Sequence, residues 1–170
     1  MARKTSLREF QQNVAQRLRD LSARKTIASK LGFQVGEDNW LVNLADVSEV
    51  ITVPQCALVP MTQSWFRGIS NVRGRLYSVV DFSAFQGFVP IGTSEESRVV
   101  LINEKLIEGS GLIVNRMLGL RNADQLTVQP EMDSSRPWVK AILTDDGGMR
   151  WKELDLSVLT RQPKFLQVGS

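Results

Sequence analysis

An internal duplication constrains this chain more than any other feature. Gly74-Arg-Leu-Tyr-Ser-Val-Val-Asp81-Phe82-Ser83-Ala-Phe85 and Gly148-Met-Arg-Trp-Lys-Glu-Leu-Asp155-Leu156-Ser157-Val-Leu159 share Gly, Asp and Ser at the same offsets, 74 residues apart. An apolar residue follows each Asp. A second pair, Val42-Asn43 and Val114-Asn115, recurs 72 residues apart. The physical reading is two similar small β units, each a strand running into an Asp-capped turn of helix. That reading also removes Asp81 and Asp155 from consideration as catalytic acids. Each stands where an N-cap belongs, and Gly87 stands where glycine ends the first short helix.

The rest of the body has strand periodicity. Phe33 and Val35 alternate with polar neighbours, Gly36-Glu37-Asp38-Asn39 supplies turn chemistry, and Trp40, Val42 and Leu44 alternate again. This predicts a hairpin. Leu76–Val80, Arg98–Ile102, Gly111–Val114, Trp138–Leu143 and Met149–Leu154 are further short strands, and Asp145-Asp146-Gly147-Gly148 is a hairpin turn. Gly87–Ser97 is the best linker. Many short strands between turns point to a barrel or sandwich class.

The first 30 residues differ from the body. They carry eight Lys/Arg and two acids, a net +6, whereas residues 31–170 sum to −3. Ser6 and Glu9 fit a capping box. Leu7, Phe10, Val14, Leu18 and Leu21 recur at spacings of three and four and fall within an arc of about 80°. The expectation is an amphipathic helix ending near Leu21–Lys25. Arg17 occupies a heptad core position, which argues against a sustained coiled coil. The apolar stripe must be covered by the body, by a second copy, or by a partner. Packing on the body is the default expectation.

Composition excludes whole classes of chemistry. The chain has no histidine and one cysteine, Cys56. A Ser-His-Asp or Cys-His unit cannot be built. Nor can a multi-Cys/His zinc site or an intrachain disulfide. Cys56 reads as a small buried hydrophobe. The longest apolar runs, Cys56–Val59 and Val99–Ile102, have four residues each, against roughly 20 for a membrane span. No apolar segment follows the basic start, so a signal peptide is not expected. These points predict a cytoplasmic protein without direct membrane insertion, metal or cofactor. For an enzyme using carboxylates alone, Asp145-Asp146 and the linker's Glu95-Glu96 are candidate adjacent acidic pairs. Turn chemistry already accounts for the first of these.

One stretch is unlike its surroundings: Trp65-Phe-Arg-Gly-Ile-Ser-Asn-Val-Arg-Gly74. Glycines bracket an Asn and an Arg, and a strand follows. From physics alone it is a bend that delivers Arg67 and Arg73 beside an apolar strand. It is not a phosphate loop, because no Gly-Lys-Ser/Thr ending follows.

Gly68-Ile-Ser-Asn71-Val-Arg73-Gly74, followed by Val79-Val80-Asp81-Phe82, resembles the signature of CheW-like chemotaxis coupling domains. Trp40-Leu-Val-Asn-Leu-Ala-Asp-Val47-Ser-Glu49-Val50-Ile51 resembles that family's first strand pair and its Val-x-Glu-Ile segment. The likeness covers about residues 31–160 and is specific in the first half. The N-terminal helix is most similar to PilI-type adaptors of twitching motility.

The resemblance implies a mainly β fold: an arm at 1–30, then two five-stranded β-barrels, about 31–95 and 96–165. It implies a non-catalytic adaptor between the cytoplasmic tip of a methyl-accepting chemoreceptor and the regulatory domain of a CheA-like histidine kinase, in the type IV pilus pathway. It carries partner-binding roles onto Val47, Glu49, Val50, Gly68, Asn71, Arg73, Gly74 and Val79. Apolar contact is expected from Val47, Val50 and Val79, in a groove between the barrels that takes the end of a receptor helical hairpin. Glu49 and Arg73 are expected to pair at its edge. The family usually has Leu at Val72, Pro at Ser78, often Pro at Gln63, and Leu-Arg at Phe82-Ser83. These departures bear on loop shape and receptor choice. The competing reading is a single-stranded nucleic-acid-binding barrel with a basic arm, using aromatic platforms. Trp40, Trp65, Trp138 and Trp151 are scattered, however, and the body is acidic. Self-association through the N-terminal helix is the remaining partner expectation.

Overall fold

A computed structural model describes the backbone of residues 7–170, and the side chains of these except 22–28. Ser6, the expected cap, lies outside the described residues. The arm is helix α1 (Leu7–Ala28), somewhat longer than the apolar stripe predicts.

The predicted first hairpin forms from β1 (Ser29–Val35) and β2 (Asp38–Asn43), turning on Gly36 at φ +60°. A 3-10 turn at Leu44–Asp46 leads into β3 (Val47–Thr52). The Trp65–Gly74 stretch, expected as a bend, is a strand for most of its length. It forms β4 (Phe66–Val72), and only Arg73-Gly74 turn the chain into β5 (Arg75–Asp81). The short helix α2 (Phe82–Phe85) follows, capped by the Asp81 side chain accepting the Ala84 N–H at 3.0 Å. Gly87, at φ +87°, ends it as expected.

The second half contains β6 (Arg98–Ile102), β7 (Ser110–Val114), β8 (Arg116–Asn122), β9 (Thr127–Val128), β10 (Val139–Thr144) and β11 (Arg150–Leu154). Helices α3 (Leu156–Leu159) and α4 (Pro163–Leu166) close the chain.

Two sheets form, in the orders β8-β1-β2-β11-β10-β9 and β3-β6-β7-β5-β4. Neither is a barrel closed by strand pairing, and the first has six strands. The linker Gly87–Ser97 does not separate them, so they do not coincide with 31–95 and 96–165. The hairpin β1–β2 from the first half joins the second-half strands, and β6–β7 from the second half joins the first-half strands. The parallel pairs β2–β11 and β5–β7 make the two joins. A parallel neighbour must come from a distant part of the chain, so each duplicated strand finds its partner in the other half.

Both sheets curl. The chain leaving edge strand β3 returns at Ala57 to bridge Ile69 on the opposite edge, β4. The chain leaving edge strand β8 returns as β9 on the opposite edge, β10. The linker is itself fastened down. Ile91 is buried, its N–H donates to Asp81 Oδ2 at 2.8 Å, and its carbonyl accepts Arg67.

One continuous core lies between the sheets. Phe85 is its hub, with ring centroids 5.2 Å from Trp65, 5.4 Å from Trp138 and 5.6 Å from Phe165. Alternation along β2 puts Trp40 and Val42 in this core. Leu41 is equally buried, because the curl of the first sheet gives it a second interior with Leu143 and Trp151.

Candidate partner-docking edge

The second sheet carries most of the predicted site residues, and its register sorts them. Val79 pairs with Gly111, and Gly111 with Leu101, so all three share one face. Tyr77, two residues before Val79, shares it by strand periodicity. Glu49 pairs with Leu101 and joins that face at the edge strand β3. The ladder slips between Val47 and Glu49, a bulge that re-aims the edge side chains. Val50 pairs with Val100 on the opposite face and is half-buried against the core, as is Val47.

The β4–β5 turn has two consecutive left-handed residues, Arg73 at φ +51° and Gly74 at φ +84°. That suits a two-residue hairpin loop, where Asn-Gly is usual. Arg73 has a Cβ and takes this conformation against its preference. Two contacts hold it. Asn71 Oδ1 accepts the Gly74 N–H at 2.8 Å. The Arg73 guanidinium forms a bidentate pair with Glu49, one arm at 2.9 Å to Oε2 and the other on Oε1. The Arg73 hydrogen bond holds the Glu49 carboxyl below its ordinary range, and Glu49 raises Arg73 in turn. The pair is solvent-exposed, so it sets orientation more than stability.

Beside it lies a concavity of about 340 Å³, floored by Val72, Tyr77 and Leu101 and rimmed by Glu49–Arg73 on one side and Arg75–Glu104 on the other. It lies within the second sheet, not between the two as expected. Sequence reasoning missed Tyr77, Leu101, Arg75 and Glu104. The alternation of Tyr77 with Val79 was the available signal.

Two predicted residues have another role. Val79 is 1% exposed and belongs to the core, so it supports the floor and offers no surface. Gly68 is buried at a bulge, with φ +128°. A Cβ there would stand 2.2 Å from the Ala57 carbonyl oxygen, so Gly68 is what lets the sheet edges meet. Trp65 and the other tryptophans are all buried. Cys56 is half-buried, and that burial raises its thiol pKa.

Comparison with known proteins decides the relationship. The model of the CheW-like domain matches residues 30–164. This chain belongs to the CheW-like family. It is 32% identical over 145 residues to Protein PilI of Pseudomonas aeruginosa, covering 83% of this chain and 80% of that protein. It is 22% identical over 123 residues to a probable chemotaxis protein CheW of Rhizobium etli, covering 70% and 79%. The crystal structure of the scaffolding protein TtCheW from Thermoanaerobacter tengcongensis superposes with a TM-score of 0.69 at 21% identity, covering 81% of this chain and 94% of that one. At that identity the likeness speaks for the CheW-like fold alone. Among the described residues, no helix is long and apolar enough to cross a membrane.

Proposed function

We propose that this CheW-like chain is a non-catalytic adaptor that couples the cytoplasmic tip of a chemoreceptor to the regulatory domain of a CheA-like kinase. The observation that carries the reading is the Arg73–Glu49 clasp. A left-handed arginine is an unusual choice at a hairpin turn, and here it ties the β4–β5 turn to edge strand β3. The clasp presents a polar rim beside the apolar floor of Val72, Tyr77 and Leu101, and the half-buried Val47 and Val50 add apolar contact for a helical partner from the other face of the same edge strand. Asn71 and Gly74 act by shaping the turn.

The PilI relative supports placement in the type IV pilus pathway, being ten percentage points more identical than the Rhizobium etli CheW relative. Assembly with membrane receptors would bring the adaptor to an array at the cytoplasmic face. The nucleic-acid reading rests on the basic arm and draws nothing from the tryptophans, none of which is exposed as a stacking platform.

Pull-down of wild type and Arg73→Ala with soluble receptor fragments and kinase regulatory domains from the same cell tests this. Wild type should retain both, and the folded variant should lose at least one. Undiminished coupling by a folded Arg73→Ala protein discards the clasp. Retention of single-stranded nucleic acid in place of either partner discards the adaptor reading.

A further inference from the structure

The stripe on α1 is not covered by the body. Leu7, Phe10, Leu18 and Leu21 are 59–73% exposed and Val14 is 41% exposed. The helix meets the body chiefly at the 3-10 turn Leu44–Asp46. We propose that a second copy of this chain covers the stripe, with the two α1 helices antiparallel about a two-fold axis at Val14.

The spacing of the stripe is self-complementary. Its intervals are three, four, four and three, so they read the same in both directions from Val14. An antiparallel two-fold therefore sets Leu7 against Leu21 of the partner, Phe10 against Leu18, and Val14 against itself. A two-fold interface requires this identity of the two surfaces. The charges leave the seam clear. Arg17 stands on the margin of the stripe, about 60° from its centre, and Asp20 follows it three residues on along its own helix. Arg8, Glu9, Arg19 and Asp20 lie some 120° to 140° from the centre, on the solvent side. Arg17 at a heptad core position, which weakens a parallel seam, becomes the flanking charge of an antiparallel one.

A second helix is favoured over a lipid surface because the apolar arc of about 80° is narrower than the 100° or more of a helix that lies on an extended apolar surface. The seam is about 21 Å long. That is small beside a stable interface of about 800 Å² per partner, so the dimer should be reversible and concentration-dependent.

Sedimentation velocity of the full chain, over roughly 1 µM to 1 mM, should show a shift from monomer to dimer. Val14→Asp should abolish that shift while far-UV and near-UV spectra of the body stay unchanged. Cysteine crosslinking in a Cys56→Ser background fixes the orientation. Val14→Cys should crosslink to itself, and Leu7→Cys should crosslink to Leu21→Cys in a mixture but not to itself. Self-crosslinking of Leu7→Cys would mean a parallel pair and overturn the antiparallel assignment. A monomer at every concentration with no Val14→Cys crosslink would overturn the proposal. So would a monomer that binds vesicles containing anionic lipid through α1.

Discussion

The two copies of the strand–Asp–helix unit have the same local geometry and carry different tertiary loads. In both, the Asp N–H donates to a tryptophan carbonyl at 2.8 Å, Trp65 for Asp81 and Trp138 for Asp155. In both, the Asp side chain caps a four-residue helix, and the preceding strand has a bulge two or three residues after the tryptophan. The difference lies in what else each Asp holds. Asp81 is fully buried, pairs with Arg67 at 3.2 Å and accepts the Ile91 N–H, which fastens the linker. Asp155 is half-buried and satisfied locally by Ser157 and Val158. Where the first copy has Arg67, the second has Lys140, which is exposed. The same capping signal thus serves as a tertiary lock in one place and an ordinary cap in the other.

Asp81→Ala should cause the larger loss, about 3 to 5 kcal/mol, because it leaves the buried Ile91 N–H without its acceptor and Arg67 without its carboxylate. Asp155→Ala should cost about 1 kcal/mol, the value of a helix cap. Urea midpoints of the two variants measure the asymmetry directly, and equal losses would break the comparison.

The bulges provide a second contrast. Gly68 and Ala141 occupy corresponding bulges, but Ala141 carries a Cβ, whereas a Cβ at Gly68 would stand 2.2 Å from the carbonyl oxygen of the returning Ala57. Gly68→Ala should therefore cost at least about 2 kcal/mol. Ala141→Gly should cost less, about 1 kcal/mol or below. Thermal melts of both should show that order.

A smaller effect concerns the approach to the second copy. The Ser135 hydroxyl and then Arg136 depress Asp133 from 3.8 to about 2, and Arg136 also reaches Gln86 at the end of α2. A depressed carboxyl contributes stability that is present above its unfolded value and lost as pH falls toward its folded one. Stability should therefore decline between about pH 4 and pH 2. Discounted for exposure, the amount is at most about 1 kcal/mol. Asp133→Asn should remove that part of the acid dependence in urea titrations at successive pH values.

The smallest stability effect belongs to the clasp. Arg73→Gly keeps the left-handed turn and removes the side chain, so its urea midpoint should stay near that of wild type. Its receptor or kinase binding should still fall. Normal binding by this variant would separate the turn from docking.

Much of this was legible in the chain because it rests on short-range chemistry. The Asp caps, the Gly87 stop, the Asp145–Gly148 turn and most strands follow from a few adjacent residues whose backbone preferences agree. The duplication was visible for the same reason, whereas the Glu49–Arg73 pair was expected only from the family resemblance, which sets two distant segments side by side. The folding of Trp65–Gly74 into a strand was not legible. Its glycine suggested a bend, and only pairing with β5 and Ala57 shows that Gly68 serves a close approach. Val79 and Val50 look alike in sequence, yet one is a core residue and the other lies on an edge strand.

By itself, then, the sequence determined a mainly β chain of two related units, without histidine chemistry, and with an amphipathic helix in front. Only the tertiary structure decided which half completes which sheet, which Asp bears the lock, and that the helix stripe is left uncovered. Caps and turns are settled within a few residues. Parallel pairing, burial and docking depend on segments some tens of residues apart, whose meeting is a property of the whole packed molecule.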